Sequence, residues 1–170
     1  MDTFCEQIVS IKKTGGAVAL FLSLWFLAIL ICVVAFVLLF LVNPALPFLI
    51  SCGVIYGAYK VTSMLNVEYE YIITNGILDV DKIINKSKRI RLTTVELSTV
   101  TELEKYNPNK NYGDKKTVPL ACDKDDNNAC FIVAATQSGK TRKFVFAPNQ
   151  KLQEAMVKFM PKFISNSAFK

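Results

Sequence analysis

The chain has 170 residues, a formal net charge of +6 and no histidine. The missing imidazole excludes Ser/His and Cys/His nucleophile pairs, H-E-x-x-H metal sites and His proton shuttles together. The charge excess is moderate and the tyrosines alternate with acidic residues, so a nucleic-acid partner is not expected.

Taken from the N-terminus, Thr3-Phe4-Cys5-Glu6 matches a capping box, and Phe4, Ile8 and Ile11 recur on one helical face. This predicts an amphipathic cytoplasmic segment over residues 1–15, either lying along the inner leaflet or forming the first turns of the next helix, bent at Gly15-Gly16. Uncharged apolar sequence then runs from Ala17 to Val42, breaks at Asn43-Pro44-Ala45-Leu46-Pro47 and resumes from Phe48 to Tyr59. A spanning helix needs roughly 20 apolar residues, so a two-helix transmembrane hairpin is expected over residues 16–65. The first run is longer than the roughly 7–15 residues of a signal h-region and lacks a small-x-small site followed by polar sequence, so it reads as retained.

Lys12, Lys13 and Lys60 flank the hairpin, whereas the connecting turn holds no Lys or Arg, so both termini are expected in the cytoplasm of a multi-pass, two-span cell-membrane protein. On that side Cys5, Cys32, Cys52, Cys122 and Cys130 are expected as thiols. Neither apolar run contains Asp, Glu, His or Arg, which argues against an ion or proton path. Gly53 and Gly57 form a G-x-x-x-G pattern for close helix packing, expected against the first helix of the same chain, with a homodimer as the alternative.

From residue 66 to 165 the pattern becomes that of one domain, followed by a tail at 166–170. Val67, Tyr69, Tyr71 and Ile73 alternate with Glu68, Glu70 and Thr74, and Asn75-Gly76 supplies a type I′ turn into a return strand from Ile77 to Ile84. Arg89 to Val95 reads as a third strand with Arg89 and Arg91 outward, and Val100 to Lys105 as a fourth. Tyr106 to Asn128 is a long polar stretch. A second hairpin follows, with strands Cys130 to Thr136 and Thr141 to Ala147. Asn149 then caps an amphipathic helix whose Leu152, Met156, Phe159, Met160 and Phe163 form an apolar stripe. The expected class is α+β: a transmembrane helical hairpin, then an antiparallel sheet or open barrel plugged by a C-terminal helix.

With its hairpin followed by Asn66-Val67-Glu68-Tyr69-Glu70-Tyr71-Ile72-Ile73-Thr74-Asn75-Gly76 and the Asp79-Val80-Asp81-Lys82-Ile83-Ile84 return strand, the chain resembles an uncharacterised family of small bacterial two-helix membrane proteins. Its strand order and terminal helix also resemble bacterial pleckstrin-homology-like (PH-like) domains attached to membrane hairpins. The resemblance implies a fold and a membrane setting and carries no catalytic residue.

Candidate chemistry is thin. Ser138-Gly139-Lys140-Thr141 resembles the end of a phosphate loop, but Ala134 replaces the required glycine and a strand, not a helix, follows. Asp123, Asp125 and Asn127 begin like a calcium loop that fails at Asn128 and Ala134. Asp79 and Asp81 share a strand face and read as exposed residues balanced by nearby cations. No catalytic residue, metal or cofactor is expected. The remaining candidate is the basic set Lys82, Lys86, Lys88, Arg89 and Arg91, where each charge contributes about 1 kcal/mol near anionic headgroups. The function read from this is a membrane-anchored, non-catalytic module at the inner face of a bacterial membrane that recognises anionic lipid or a partner protein. The alternative is an accessory subunit of a membrane transporter or envelope complex, recognised through its hairpin.

Overall fold

The structure, a computed structural model, describes residues 3–11, 13, 15–107, 109–110, 120–123, 129–135 and 141–168, with backbone alone at 130–135 and 166–168. It divides into two compact units, Met1–Ile11 with Val67–Lys170, and Lys12–Asn66.

The first unit is built on a four-stranded antiparallel sheet in the order β1 (Phe4–Ser10), β2 (Val67–Thr74), β3 (Ile77–Ile84), β4 (Lys88–Glu96). Register follows from turn chemistry. Asn75 and Gly76 take φ of 49° and 85°, as a type I′ turn requires, so Thr74 pairs with Ile77 and Tyr71 with Val80. A methyl group on Gly76 would also come within 2.9 Å of the Phe159 ring, so this position is closed to a side chain on two counts. Asn85 and Lys86, at φ of 51° and 54°, make the corresponding turn between β3 and β4. Beyond a bulge at Val80/Asp81, Arg91 pairs with Asp81 and Arg89 with Ile83.

The N-terminal segment departs from expectation, since residues 4–10 are an edge strand and not a helix. Cys5, Gln7 and Val9 face inward opposite Ile73, Tyr71 and Tyr69. The backbone of Thr3, the expected cap, exchanges hydrogen bonds with Asn75: its N–H donates to the Asn75 side-chain oxygen (3.1 Å) and its carbonyl accepts from the Asn75 N–H (3.0 Å). A helix this short is marginal by itself, whereas pairing with β2 satisfies one whole edge of the strand and buries Cys5. A domain boundary at residue 66 therefore omits a strand of the sheet.

A 3-10 turn at Leu97–Thr99 redirects the chain into a second antiparallel sheet, β5 (Val100–Lys105), β6 (Cys130–Ala135) and β7 (Thr141–Phe146). The segment Leu120–Cys122 lies along β7, with the Ala121 N–H donating to the Val145 carbonyl at 2.7 Å. The core forms where the inner face of the first sheet (Tyr71, Ile73, Leu78, Val80) meets Phe144 and Phe146 of β7 and Leu152 and Met156 of α3 (Gln150–Val157). Tyr71 is fully buried, packs edge-on against Phe146 at 5.5 Å, donates to the Ala121 carbonyl and accepts from the Ala147 N–H. Gln7 joins β1 to the start of α3, its amide donating to the Ala147 carbonyl (2.9 Å) and accepting from the Asn149 N–H (2.8 Å). Asn149 caps α3 by accepting from the Leu152 N–H.

The expected C-terminal helix is present but broken. α3 stops at Val157, and a separate helix, α4 (Lys162–Ala168), begins after Pro161, which cannot continue the hydrogen-bonding of the first. Leu152, Met156 and Met160 are buried and Phe159 is half-buried, as the stripe predicted, but Phe163 points outward and Ile164 takes its place in the core.

The second unit holds two helices, α1 (Gly15–Leu39) and α2 (Ala45–Ser63), both long and apolar enough to cross a membrane. At 1.5 Å per residue they extend about 38 and 28 Å. They pack through Ala28, Ala35 and Ala58, small enough for close approach, and through an edge-on contact of Phe36 with Phe48 at 5.1 Å. Asn43 starts α2, its side-chain oxygen accepting from the Ala45 N–H at 3.0 Å.

Candidate functional site

The outer face of the first sheet carries a ladder of charge that strand alternation and register assemble. Glu68 and Glu70 of β2, Asp79 and Asp81 of β3, and Arg89 and Arg91 of β4 all project from it, with Glu6 of β1 beside Glu70. Glu70 and Asp81 are direct cross-strand partners, and both are almost completely buried. Two carboxylates so placed require cations. Arg89 reaches Glu70 at 2.7 Å and Asp81 at 3.9 Å, while Arg91 bridges Asp79 at 3.0 Å and Asp81 at 2.9 Å. The Thr94 hydroxyl donates to Asp79 at 2.6 Å. Asp81 is thus a buried partner in an ion-pair network, not the exposed residue that alternation predicts.

This geometry divides the basic set. Arg89 and Arg91 are committed to the ladder, whereas Lys86 and Lys88 are exposed at the β3–β4 turn with Lys82 half-buried beside it. Lys82 and Lys88 project from the other face of the hairpin, opposite to the arginines. The site is therefore a lysine tip adjoining an arginine-carboxylate network. Sequence reading missed the buried Glu70–Asp81 pair and the Gln7 clamp. The first was available by counting back from the Asn75-Gly76 turn, while the second depends on where β7 ends.

Burial pushes the Glu70 carboxyl above its usual range; Arg89 opposes the shift, and Glu6, which hydrogen-bonds it, and Asp81 add to it. A folded state that holds this proton to higher pH gains stability below the ordinary carboxylate range and loses it as pH rises through the raised value. Glu70→Gln is therefore expected to flatten that decline, raising stability relative to the parent at pH 7 and not at acid pH. Amide hydrogen exchange of β2 and β3 at pH 5 and pH 7 checks it; an unchanged pH slope would refute the assignment. Arg91 is held in its protonated form by its hydrogen bond to Asp81.

A methyl group at Gly53 or Gly57 would meet nothing within 4 Å, while Ala58 is buried and Gly57 borders a groove with Leu24, Ala28 and Ile31 of α1. The phosphate-loop lookalike lies outside the described residues except Thr141, which begins β7 in a hairpin with β6. Asp125 and Asn127 of the calcium-loop lookalike also lie outside them, and no cluster of metal-ligating groups occurs among the described residues.

The model of a family described as "Bacterial PH-like domain (DUF6106)" matches residues 1–166. It spans β1, both apolar helices and the whole of the sheet and α3. No curated protein and no solved structure matches the chain.

Proposed function

The chain belongs to the bacterial PH-like domain family, and on that premise we propose that it is a non-catalytic binding module held at the inner face of a bacterial membrane, where Lys82, Lys86 and Lys88 engage anionic headgroups. Arg89 and Arg91 stiffen the hairpin that carries them through the carboxylate ladder. PH-like domains are generally non-catalytic binding modules, which supports the first part of this reading.

The observation that carries the reading is strand register. Val67, where the chain returns from the apolar helices, pairs with Ile84, so the Asn85-Lys86 turn lies at the end of the sheet that leads into them. Only Met64, Leu65 and Asn66 separate α2 from β2, a connection that reaches no more than about 14 Å. The lysine tip is thus at the end of the sheet where the chain enters from α2, and Lys12 and Lys13 in the other connection add charge of the same sign.

The β1–β2 pair supports the two-span topology independently of any count of flanking charges. Ile11 N–H donates to the Val67 carbonyl at 3.3 Å, a pairing that fits both ends of the hairpin lying on one side of a bilayer. A single crossing would separate β1 from its partner, and cleavage after α1 would remove it.

The test uses the full chain in lipid nanodiscs and a water-soluble acetylating reagent, read by mass spectrometry. Lys86 and Lys88 are expected to be protected several-fold in discs containing phosphatidylglycerol relative to phosphatidylcholine, with the protection lost at about 1 M salt, where the Debye length is about 3 Å. Equal labelling in both discs would discard the lipid reading and turn the search to protein partners.

A second reading, an accessory subunit of a transporter or envelope complex, is favoured by the open face at Gly53 and Gly57. Gly53→Ile with Gly57→Ile would then abolish partner capture while leaving lysine protection intact.

A further inference from the structure

Three large apolar side chains stand on the outer face of the first sheet where alternation ordinarily places polar groups: Phe4 (64% exposed), Ile8 (54%) and Ile77 (45%). They sit among the carboxylates of the ladder, which outnumber its two arginines, so this face has the opposite sign to the chain as a whole. That sign repels anionic lipid and nucleic acid and calls for a cationic, apolar occupant. The same chain carries such a surface at the corner between α3 and α4. Phe163 (72% exposed) and Val157 (41%) lie there with exposed Lys158 and Lys162, and Glu154 is the one acidic residue in the sequences of α3 and α4.

We propose that the outer sheet face of one copy docks the α3–α4 corner of a second copy. Apolar contacts of Phe4, Ile8 and Ile77 with Val157 and Phe163 form its centre, and Lys158 and Lys162 meet the carboxylates at its rim. The two surfaces lie on opposite sides of the domain, since α3 packs on the inner face of the sheet and shows its corner outward. The contact is therefore head-to-tail, with two different patches per copy. The proposal does not depend on lipid binding or on the open glycine face.

The experiment is sedimentation equilibrium of the full chain in mild detergent over a range of concentration and salt. One variant, Phe4→Ser with Ile8→Ser, removes the sheet patch; another, Lys162→Glu with Phe163→Ser, removes the corner. All four positions are exposed, and amide exchange of β2 confirms that each variant is folded. The parent is expected to self-associate, more weakly at high salt, and each variant alone to associate at least tenfold more weakly. An equimolar mixture of the two variants is expected to recover association and to stop at the dimer, because each supplies only the patch the other lacks. Lys162→Glu alone, a surface change with no packing cost, should weaken association as well. A monomeric parent, association unchanged in either variant, or a mixture that stays monomeric would each overturn the proposal, as would association that only Gly53→Ile and Gly57→Ile abolish.

Discussion

A fragment beginning at Asn66 is expected not to fold, whereas a chain in which residues 12–66 are replaced by a short Gly/Asn turn is expected to keep the complete sheet. The fragment loses β1, and with it one full edge of β2, the buried Cys5 and both hydrogen bonds of Gln7 to the segment before α3. Tyr71 and Ile73 would then be open along an unpaired edge. At about 1 kcal/mol for each backbone hydrogen bond and for each buried aliphatic group, the loss is at least about 5 kcal/mol, comparable with the whole stability of a small domain. The excision leaves all of these contacts in place, because Ile11 and Val67 are already joined by a 3.3 Å hydrogen bond and a tight turn spans that gap. Amide proton dispersion and hydrogen exchange separate the outcomes. A well-ordered Asn66–Lys170 fragment would show that β1 is an ornament on a sheet complete without it.

The second large effect is expected from the ladder. Arg89→Gln combined with Arg91→Gln leaves Glu70 and Asp81 side by side in a buried position with no cation, a situation that costs about 3–5 kcal/mol in comparable buried networks. Because the guanidinium groups are themselves about half exposed, the lower part of that range is expected. The loss should be greatest at pH 7 and shrink on acidification, since protonating Glu70, whose carboxyl burial already pushes up, removes the repulsion, which is the opposite of the acid lability of an ordinary ion pair. Hydrogen exchange of β3 amides across pH 5–7 measures it. A variant as stable as the parent at pH 7 would mean that water, not arginine, solvates the pair.

The β2–β3 hairpin could be read from sequence because its information is local: alternation names the inner face and Asn75-Gly76 fixes the register to the residue. β1 could not. Its own residues satisfy a helix start, and the partner that overrules them lies beyond two apolar helices, so the deciding interaction is invisible to any short window. The apolar stripe runs on in sequence across Pro161 to Phe163, and only the burial of Ile164, with Phe163 exposed, shows that α4 offers a different residue to the core. The lysine tip was visible as composition. Its separation from Arg89 and Arg91 depended on register across the bulge at Val80/Asp81, which no sequence pattern marks.

The interruption of β1 and β2 by the apolar helices also sets an order of events in biosynthesis. β1 leaves the ribosome first and waits, seconds at ordinary elongation rates, while the hairpin is made and, in the proposed topology, inserted. Until Val67 follows, it has nothing to pair with. In that topology a chain whose second helix failed to return would leave β1 and β2 on opposite sides of the bilayer, so formation of the sheet would depend on correct insertion.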